Sequence, residues 1–555
     1  MLITEAVIQR KGQWIIFCII LSLGLATAFY LYSLDKYSLV YFGDSASHMV
    51  ISRKIVDWPD PGLKQLGTVW LPLPHLLLMP FSLVDPMFTS GFAGVVIGLP
   101  SLAITSVLLF KIVRTNLVSG ISIVAFVSAL LYASNPNILY MSLTAMTESP
   151  FMLFFVASAY YFQKWYQNTS ASSTSTSTSS TLVIEKSKSI SNEKPSTKFE
   201  HYYPPKYNDF IKCSIFIALA SLCRYEAWIL PVFLICFIVF LVLKKKIPKG
   251  IRSYMVILSI ISASGVGFWI FYNAYQYANP LEFANVEYYS AFSQAFNRQH
   301  QESLLLRPIN VLTVYGVSAL YMYGPILLAV AMLGYIANKL CQERNDQNML
   351  YVFLGLPPFF TLLTLVIGIG EMKYWFNSRF LILISPLVVL LAALLLKNVR
   401  MQARKSRGIL AAVIGVLFLF GILNPVLGDV ITYLDAKQGF FYKVNPYSVK
   451  TGEILGLIYD GASSIMMLTG SMQEHRIMQN SGIHLIHFDE IIEGSVSKRS
   501  FQQPWLYDKW LVVSKDPDPD GVKPTKYLVE ERKNDLNKYY KRIYDNKYYE
   551  IFVTR

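Results

Sequence analysis

Charge is scarce in this chain. Only 15% of its 555 residues are Asp, Glu, Lys or Arg, whereas soluble globular chains carry about a quarter, and this excludes a water-soluble enzyme. Cysteine is scarce too: Cys18, Cys213, Cys223, Cys236 and Cys341 each lie in or beside an apolar run, and none falls in the polar C-terminal region. No disulfide framework is implied. There is no P-loop, no GxSxG and no GxGxxG in a strand-turn-helix setting, which argues against nucleotide hydrolysis, serine hydrolysis and dinucleotide binding. Apolar residues do not alternate as the strands of an outer-membrane barrel would. What the chain has instead is 54% hydrophobic and 14% aromatic residues and a mean hydropathy of +0.40, gathered into runs long enough for bilayer helices. The net charge of +14 sits at the ends of those runs, as membrane orientation requires, so no nucleic-acid partner is expected.

The first run, Trp14 to Leu34, is about one bilayer long and lacks a small-residue cleavage site, so it reads as a retained first helix with the N-terminus inside. Further runs at about 91–113, 118–134, 149–166, 209–223, 225–243, 251–278, 311–337, 349–370, 379–396 and 409–427 bring the expectation to about eleven spans. Segments placed inside by this count hold Lys111, Arg114, Lys164, Lys244, Lys245, Lys246, Lys339, Arg400 and Arg404, the bias that cytoplasmic loops show. Trp70 to Val84 is apolar but broken by Pro72, Pro74 and Pro80, and is expected at the outer surface, partly re-entrant. Residues 168–206 open with nearly pure Ser and Thr and are expected to be a disordered inside linker; the Asn168-Thr169-Ser170 triplet within them then lies on the wrong side for glycosylation. An odd span count divides the chain into a transmembrane domain, 1–427, and an extracytoplasmic domain, 428–555. Short apolar runs at Ile465–Leu468, Ile483–His487, Trp510–Val513, Tyr527–Val529 and Tyr549–Val553, with the amphipathic Leu536–Tyr544, predict a small separate α/β domain there.

The loop of residues 37–90 is far longer than a connection needs, which makes it the leading site candidate. It opens with Gly43-Asp44-Ser45-Ala46-Ser47-His48 and passes Trp70 and His75. A carboxylate at the end of the first membrane helix, backed by an apolar wall, suits a general base; an N-cap role for Asp44 explains the same residue. Glu148 stands where the fourth span begins, with the same capping alternative. Arg224-Tyr225-Glu226 interrupts about 35 otherwise apolar residues; it reads either as a structural Arg224–Glu226 pair or as a guanidinium free to fork onto a phosphate. Glu371 to Arg379 precedes the tenth span, and Arg379 and Lys373 join Arg224 as phosphate-binding candidates. Glu226, Tyr225, His48, His75 and Trp70 are the substrate-binding candidates. His48 and His75 with Asp44 carry the right atoms for a divalent ion, but no HxxxH or CxxC spacing supports a closed site, and the metal is left undecided between none and one held by Asp44 and His48.

These motifs resemble the GT-C class of membrane glycosyltransferases, the branch of protein O-mannosyltransferases and aminoarabinose transferases. Gly43-Asp44-Ser45-Ala46-Ser47-His48 stands where that class carries an acidic motif after span one, Thr147-Glu148-Ser149-Pro150 looks like its acid at the fourth span, and Ser378-Arg379-Phe380 with Pro386 looks like its Arg-Tyr-leucines-Pro stretch, with Phe380 in place of tyrosine. Ser45 follows Asp44 where many members have a second acid, and the WWDYG-type motif of oligosaccharyltransferases is absent. The resemblance covers roughly the first 400 residues. It implies a polytopic α-helical GT-C-like protein with Asp44 and Glu148 catalytic. The implied activity is inverting transfer of a sugar, of hexosyl or mannosyl type, from a polyprenyl-phosphate donor of the dolichyl-phosphate kind. The acceptor would be a hydroxyl of a protein, glycan or lipid at the outer face of the cell membrane. The rival reading is a transporter or flippase of lipid-linked sugars, against which stand the absence of an inverted repeat and the placing of ionisable residues at span ends.

Overall fold

The computed structural model describes residues 2–117, 122–184, 206–245, 247, 252–285, 304–340, 348–373, 376–402, 430–468, 471–490, 503–515 and 532–555. Among these, six helices are long and apolar enough to cross a membrane: Lys11–Leu34, Phe92–Thr115, Tyr225–Leu243, Pro308–Leu340, Asn348–Val366 and Ser378–Leu396; a seventh is formed if the pair Arg252–Ser262 and Ser264–Tyr277, bent by 50°, counts as one. The expected eleven are therefore not reached. Helices do stand at the third, fourth and fifth expected positions, Ser122–Ser134, Glu148–Ile184 and Lys206–Ser221. The first of these has only 13 residues, about 20 Å of helix, and the other two are interrupted by polar side chains that neighbouring helices shelter, such as Gln163, Ser158 and Asp209. The expected span 409–427 lies outside the described residues.

Helices are numbered in chain order. The membrane part comprises α1 (Leu2–Leu34), α5 (Phe92–Ile112), α6 (Ser122–Ser134), α8 (Glu148–Ile184), α9 (Lys206–Ser221), α10 (Ile229–Leu243), α11 (Arg252–Ser262), α12 (Ser264–Tyr277), α14 (Pro308–Leu340), α15 (Asn348–Val366) and α16 (Ser385–Gln402). Short helices fill the gaps: α2 (Gly43–Lys54), α3 (Pro72–Ser82) and α4 (Asp85–Ser90) in the 37–90 segment, then α7 (Pro136–Met141) and α13 (Glu282–Asn285). The proline-broken stretch after Trp70 becomes α3, whose 11 residues span about 16 Å and cannot cross a bilayer. Instead of a wholly unstructured linker after residue 168, the backbone of α8 continues through the Ser/Thr tract to Ile184, since extending a formed helix costs far less than nucleating one. The remainder of that expected linker, 185–205, lies outside the described residues.

Two close approaches set where the site elements lie. Helix α14 breaks at Gly324, whose φ of 72° precedes Pro325. The Met322 carbonyl beside the break accepts hydrogen bonds from the Asn135 and Asn137 side-chain amides at 2.9 and 3.3 Å, so the kink leaves that buried acceptor satisfied. On α5, Gly98 lets the Ser142 carbonyl lie directly on the helix backbone, and this draws the turn before α8 down to the start of α2.

The C-terminal part is α/β as expected. Strands β1 (Ile465–Leu468), β2 (Phe488–Glu490), β3 (Trp510–Ser514), β4 (Tyr540–Asp545) and β5 (Tyr549–Thr554) form a mixed sheet of order β2-β1-β3-β5-β4, parallel on the β2-β1-β3 side and antiparallel on the other. Helices α17 (Ile431–Phe440), α18 (Asn445–Ile458), α19 (Ser471–Ser481) and α20 (Lys533–Tyr539) accompany it. The expected strand at Ile483–His487 is instead a loop and a short 3-10 turn, because the Asp57 carboxylate accepts the Leu485 and Ile486 N–H groups, both at 3.1 Å, and takes that backbone out of the ladder. The expected run Tyr527–Val529 lies outside the described residues. The domain is also not separate in its packing: Val40, Met49, Trp58 and Phe88 of the 37–90 segment share one buried cluster with Leu455, Ile477 and Leu485.

Gly98→Ala is expected to lower the thermal unfolding midpoint in detergent, at a cost of about 1–3 kcal/mol from overpacking against backbone. Gly267→Ala, whose new methyl would meet nothing within 4 Å, is expected to be neutral or slightly stabilising. Equal midpoints for both variants and the parent would show that the α5 approach is not tight.

Candidate functional site

Helix α2 begins at Gly43 with Phe42 as its extended N-cap residue and no side-chain cap. Asp44 is therefore inside the first turn and not the cap; its charge complements the positive end of the helix, as Arg53 and Lys54 complement the negative end. That leaves its carboxylate free to reach across the fold. Arg379 donates to Asp44 Oδ2 from Nη1 at 2.8 Å. Arg379 is aimed there by a 3-10 segment, Ser378–Ile384, that starts after Asn377 in the left-handed region at φ 58°, a conformation asparagine adopts more readily than most residues.

The contacts continue in alternating sign. Arg379 Nε lies 3.7 Å from Glu148 Oε1, and the same oxygen accepts from Arg224 Nη1 at 2.5 Å. Arg224 then forks onto Glu226, Nη2 to Oε1 at 2.6 Å and Nε to Oε2 at 3.2 Å, and also donates to the Thr147 hydroxyl at 3.1 Å. Phe380 lies under both guanidiniums, 5.5 Å from Arg224 and 5.8 Å from Arg379. Side-chain exposure is 20% at Asp44 and 16% at Arg379, 2% at Glu148 and 11% at both Arg224 and Glu226, so the chain is most enclosed at its middle and most accessible at Asp44. Glu148 Oε2 is buried with no hydrogen-bond partner, acceptor capacity available to a bound hydroxyl.

Around Asp44, α2 is anchored by its polar side chains. Ser45 accepts the Ala145 N–H at 3.1 Å, and Ser47 meets His475 Nδ1 at 2.9 Å. One turn on from Asp44, His48 Nδ1 lies 2.9 Å from His75 Nε2, while His75 Nδ1 is 3.2 Å from the Leu71 carbonyl. A carbonyl only accepts, so His75 carries its proton on Nδ1, His48 donates from Nδ1, and His48 Nε2 keeps a lone pair. Burial pushes His48 down to about 4, against the pull of Asp44 and Glu148, so the pair is neutral at physiological pH. For Asp44, burial acts to raise the pKa, but its charged neighbours, Arg379 foremost, together outweigh it and hold the carboxyl below its ordinary value. The burial anticipated behind Asp44 is thus present and is the largest single influence on it, but the charges around the carboxylate together override it.

Of the expected residues, Asp44, Glu148, Arg224, Glu226 and Arg379 form one network. Tyr225 borders it, donating to the Val69 carbonyl at 2.8 Å and accepting from Trp269 Nε1 at 3.2 Å. Trp70 stacks obliquely on His48 with ring centres 4.6 Å apart. Lys373 is not brought in: its side chain is more than half exposed and its ammonium lies 3.7 Å from Glu371, because the turn after it aims Arg379 inward and leaves it outside. A divalent ion does not fit the donor set. Asp44 and His48 face two guanidiniums, His48 Nδ1 is spent on His75, and no group of three or more candidate ligands converges among the described residues.

Two site residues were not anticipated. Asp435 on α17 accepts the Asn377 N–H at 3.0 Å and so holds the turn that aims Arg379; it follows the last expected span as Asp44 follows the first, a signal the sequence carried. Arg476 on α19 donates to the Tyr41 carbonyl at 3.0 Å, and nothing in its charged, amphipathic surroundings marked it.

No protein-family model and no curated protein matches the sequence. Solved structures do. The chain is similar to ArnT from Cupriavidus metallidurans bound to undecaprenyl phosphate, with 12% identity and a TM-score of 0.52 over 98% of each chain. It also matches the oligosaccharyltransferase of Archaeoglobus fulgidus in the apo form, with 12% identity and a TM-score of 0.49 over 91% of this chain and 70% of that one. The fold is that of the GT-C membrane glycosyltransferases.

Burial raises the Asp435 carboxyl to about 6, against the opposing Arg379 and the Asn377 N–H. A folded-state value above the unfolded one means stability is fully present below the unfolded pKa and is lost as pH rises through about 6. Asp435→Asn removes this dependence, so its unfolding midpoint is expected to match the parent near pH 4 and exceed it above pH 7. Parallel pH profiles for parent and variant would contradict the burial argument.

Proposed function

We propose that the protein is a glycosyltransferase that takes a sugar from a polyprenyl-phosphate donor and passes it to an acceptor hydroxyl. The carrying observation is the chain Asp44–Arg379–Glu148–Arg224–Glu226, assembled from four separate segments at one end of the helical bundle. Such a lipid donor has its reactive carbon and its phosphate at the membrane boundary, where this arrangement offers a base next to two cations. ArnT from Cupriavidus metallidurans, whose fold this chain shares, was crystallised with undecaprenyl phosphate, in keeping with that donor class.

In this reading the acceptor O–H gives its proton to Asp44 as its oxygen bonds to the anomeric carbon, and the carbon–phosphate oxygen bond breaks with its electron pair leaving on the phosphate. Arg379 and Arg224 stabilise the charge that develops there. Attack opposite the departing phosphate inverts the anomeric centre. Arg379 has a second consequence. While it is paired with Asp44 the carboxylate is a weak base; a donor phosphate that draws Arg379 toward itself removes that counter-charge and strengthens the base where the acceptor is deprotonated. Glu148 Oε2 and Glu226 orient sugar hydroxyls and Arg224. Trp70, His48 and Tyr225 line the approach, and His75 fixes His48. The sugar is of hexosyl type, the site faces the extracytoplasmic side, the N-terminus is cytoplasmic, and the C-terminal domain lies over the site.

Purified protein given a polyprenyl-phosphate hexose tests the chemistry. Asp44→Asn is expected to reduce transfer by 10²–10⁴-fold with donor affinity changed little, and undiminished transfer would reject Asp44 as the base. Sidedness is tested in intact cells with Asp60→Cys, since Asp60 is three-quarters exposed in the 37–90 segment. Labelling by a membrane-impermeant maleimide, in a background lacking the native cysteines, is expected before lysis; labelling only after lysis would reverse the assigned face.

A further inference from the structure

Both arginines assigned to the donor phosphate are already matched in the ligand-free site. Arg224 is held by Glu148 and Glu226, and Arg379 by Asp44, so three carboxylates face two guanidiniums and the network carries one negative charge in excess. An incoming phosphate meets that excess. A further cation is needed, and the fold supplies one from the C-terminal domain.

Arg476 is 2% exposed yet makes no ion pair among the described residues. Its contacts are one donated hydrogen bond, Nη2 to the Tyr41 carbonyl at 3.0 Å, and a face-on approach to Phe440 at 4.8 Å. A guanidinium has five N–H donors, and a buried charge with no ion-pair partner in contact is among the costlier features a fold can hold. Burial pulls Arg476 down to about 10, against the attraction of Asp44 and Tyr549. Its position is fixed from both sides: on the same helix His475 meets Ser47, and Gln479 donates to the Phe88 carbonyl at 3.0 Å. Arg476 thus reaches toward Asp44 from a helix locked to the segment that carries Asp44. Asp44 keeps a fifth of its side chain exposed, so the carboxylate end of this arrangement is reachable by solute.

We propose that Arg476 is the counter-charge for a substrate phosphate: the C-terminal domain contributes a third arginine that binds a phosphate group between itself and Arg379. This rests on the glycosyltransferase reading only for the source of the phosphate, a lipid carrier or an acceptor that bears one. The carrier bound would be a phosphate in preference to the alcohol, since a hydroxyl offers a guanidinium a neutral acceptor but no opposite charge.

The test uses the full-length protein in detergent micelles, with undecaprenyl phosphate, undecaprenol and inorganic phosphate as separate probes, read by equilibrium binding without turnover. Parent protein is expected to bind undecaprenyl phosphate at least tenfold more tightly than undecaprenol. Arg476→Gln is expected to lose at least tenfold in affinity for the phosphate probe, and Arg476→Lys, which keeps a cation in place, to recover part of it with an unfolding midpoint near the parent's. Arg476-dependent binding of inorganic phosphate without preference for the lipid phosphate would support the anion site and count against a lipid donor. Equal affinity of parent and Arg476→Gln for both phosphate probes would overturn the inference while leaving the donor assignment standing. A parent that binds neither would overturn both.

Discussion

The partnering of buried ionised groups is the constraint on which the site depends. Taking a carboxylate or guanidinium out of water costs several kcal/mol, and only an opposite charge in good geometry offsets it. Glu148 is almost wholly enclosed, and Arg224 and Arg379 both bear on one of its oxygens. Each arginine is in turn tied to a further acid. No pair in the chain is independent, because each shares a member with the next, so loosening one contact changes the charge balance felt by its neighbours. Because its members come from the start of α2, the start of α8, the turn into α10 and the turn before α16, closing the network also closes the fold at that end.

The C-terminal domain takes part in this closure. Helix α19 places His475, Arg476 and Gln479 against α2, the end of the 3-10 turn before it and α4, while Asp57 caps the backbone of the loop after α19. Arg53 ties the same region together by bonding Asp57 at 2.7 Å and Asp85 at 2.6 Å. The helix carrying Asp44 is therefore clamped between the membrane bundle and the sheet domain. A domain in that position shapes what can approach Asp44, and its contribution is electrostatic as well as steric.

The neutral histidine pair gives α2 a second kind of fixation. With His75 committed to the Leu71 carbonyl and His48 to His75, the ring of His48 is oriented beneath Trp70. Its side chain leaves α2 on the same face as Asp44, since residues four apart on a helix are neighbours. One helical turn thus presents a carboxylate tuned by cations and an imidazole tuned by burial.

Sequence alone determined what depends on local composition. Long runs of apolar residues must become buried or lipid-facing helix, so membrane helices stood where Trp14–Leu34, 311–337 and 379–396 predicted them, and the short apolar runs at Ile465–Leu468, Trp510–Val513 and Tyr549–Val553 became β1, β3 and β5. Ionisable residues interrupting such runs are costly wherever they land, which is why Asp44, Glu148, Arg224, Glu226 and Arg379 were all legible as candidates. Apart from the Arg224–Glu226 pair, one of the two readings the sequence offered, partnership was not legible, because the network's other ion pairs join positions 76 or more residues apart. Only the tertiary structure decided that Arg379 meets Asp44 while Lys373, six residues away, points outward. It also decided that α8 continues past residue 168 and that the C-terminal domain shares a core with the 37–90 segment. The arginine it adds, Arg476, looks in sequence like any charge on a solvated helix face, and becomes a buried cation only through the surface against which that face is packed.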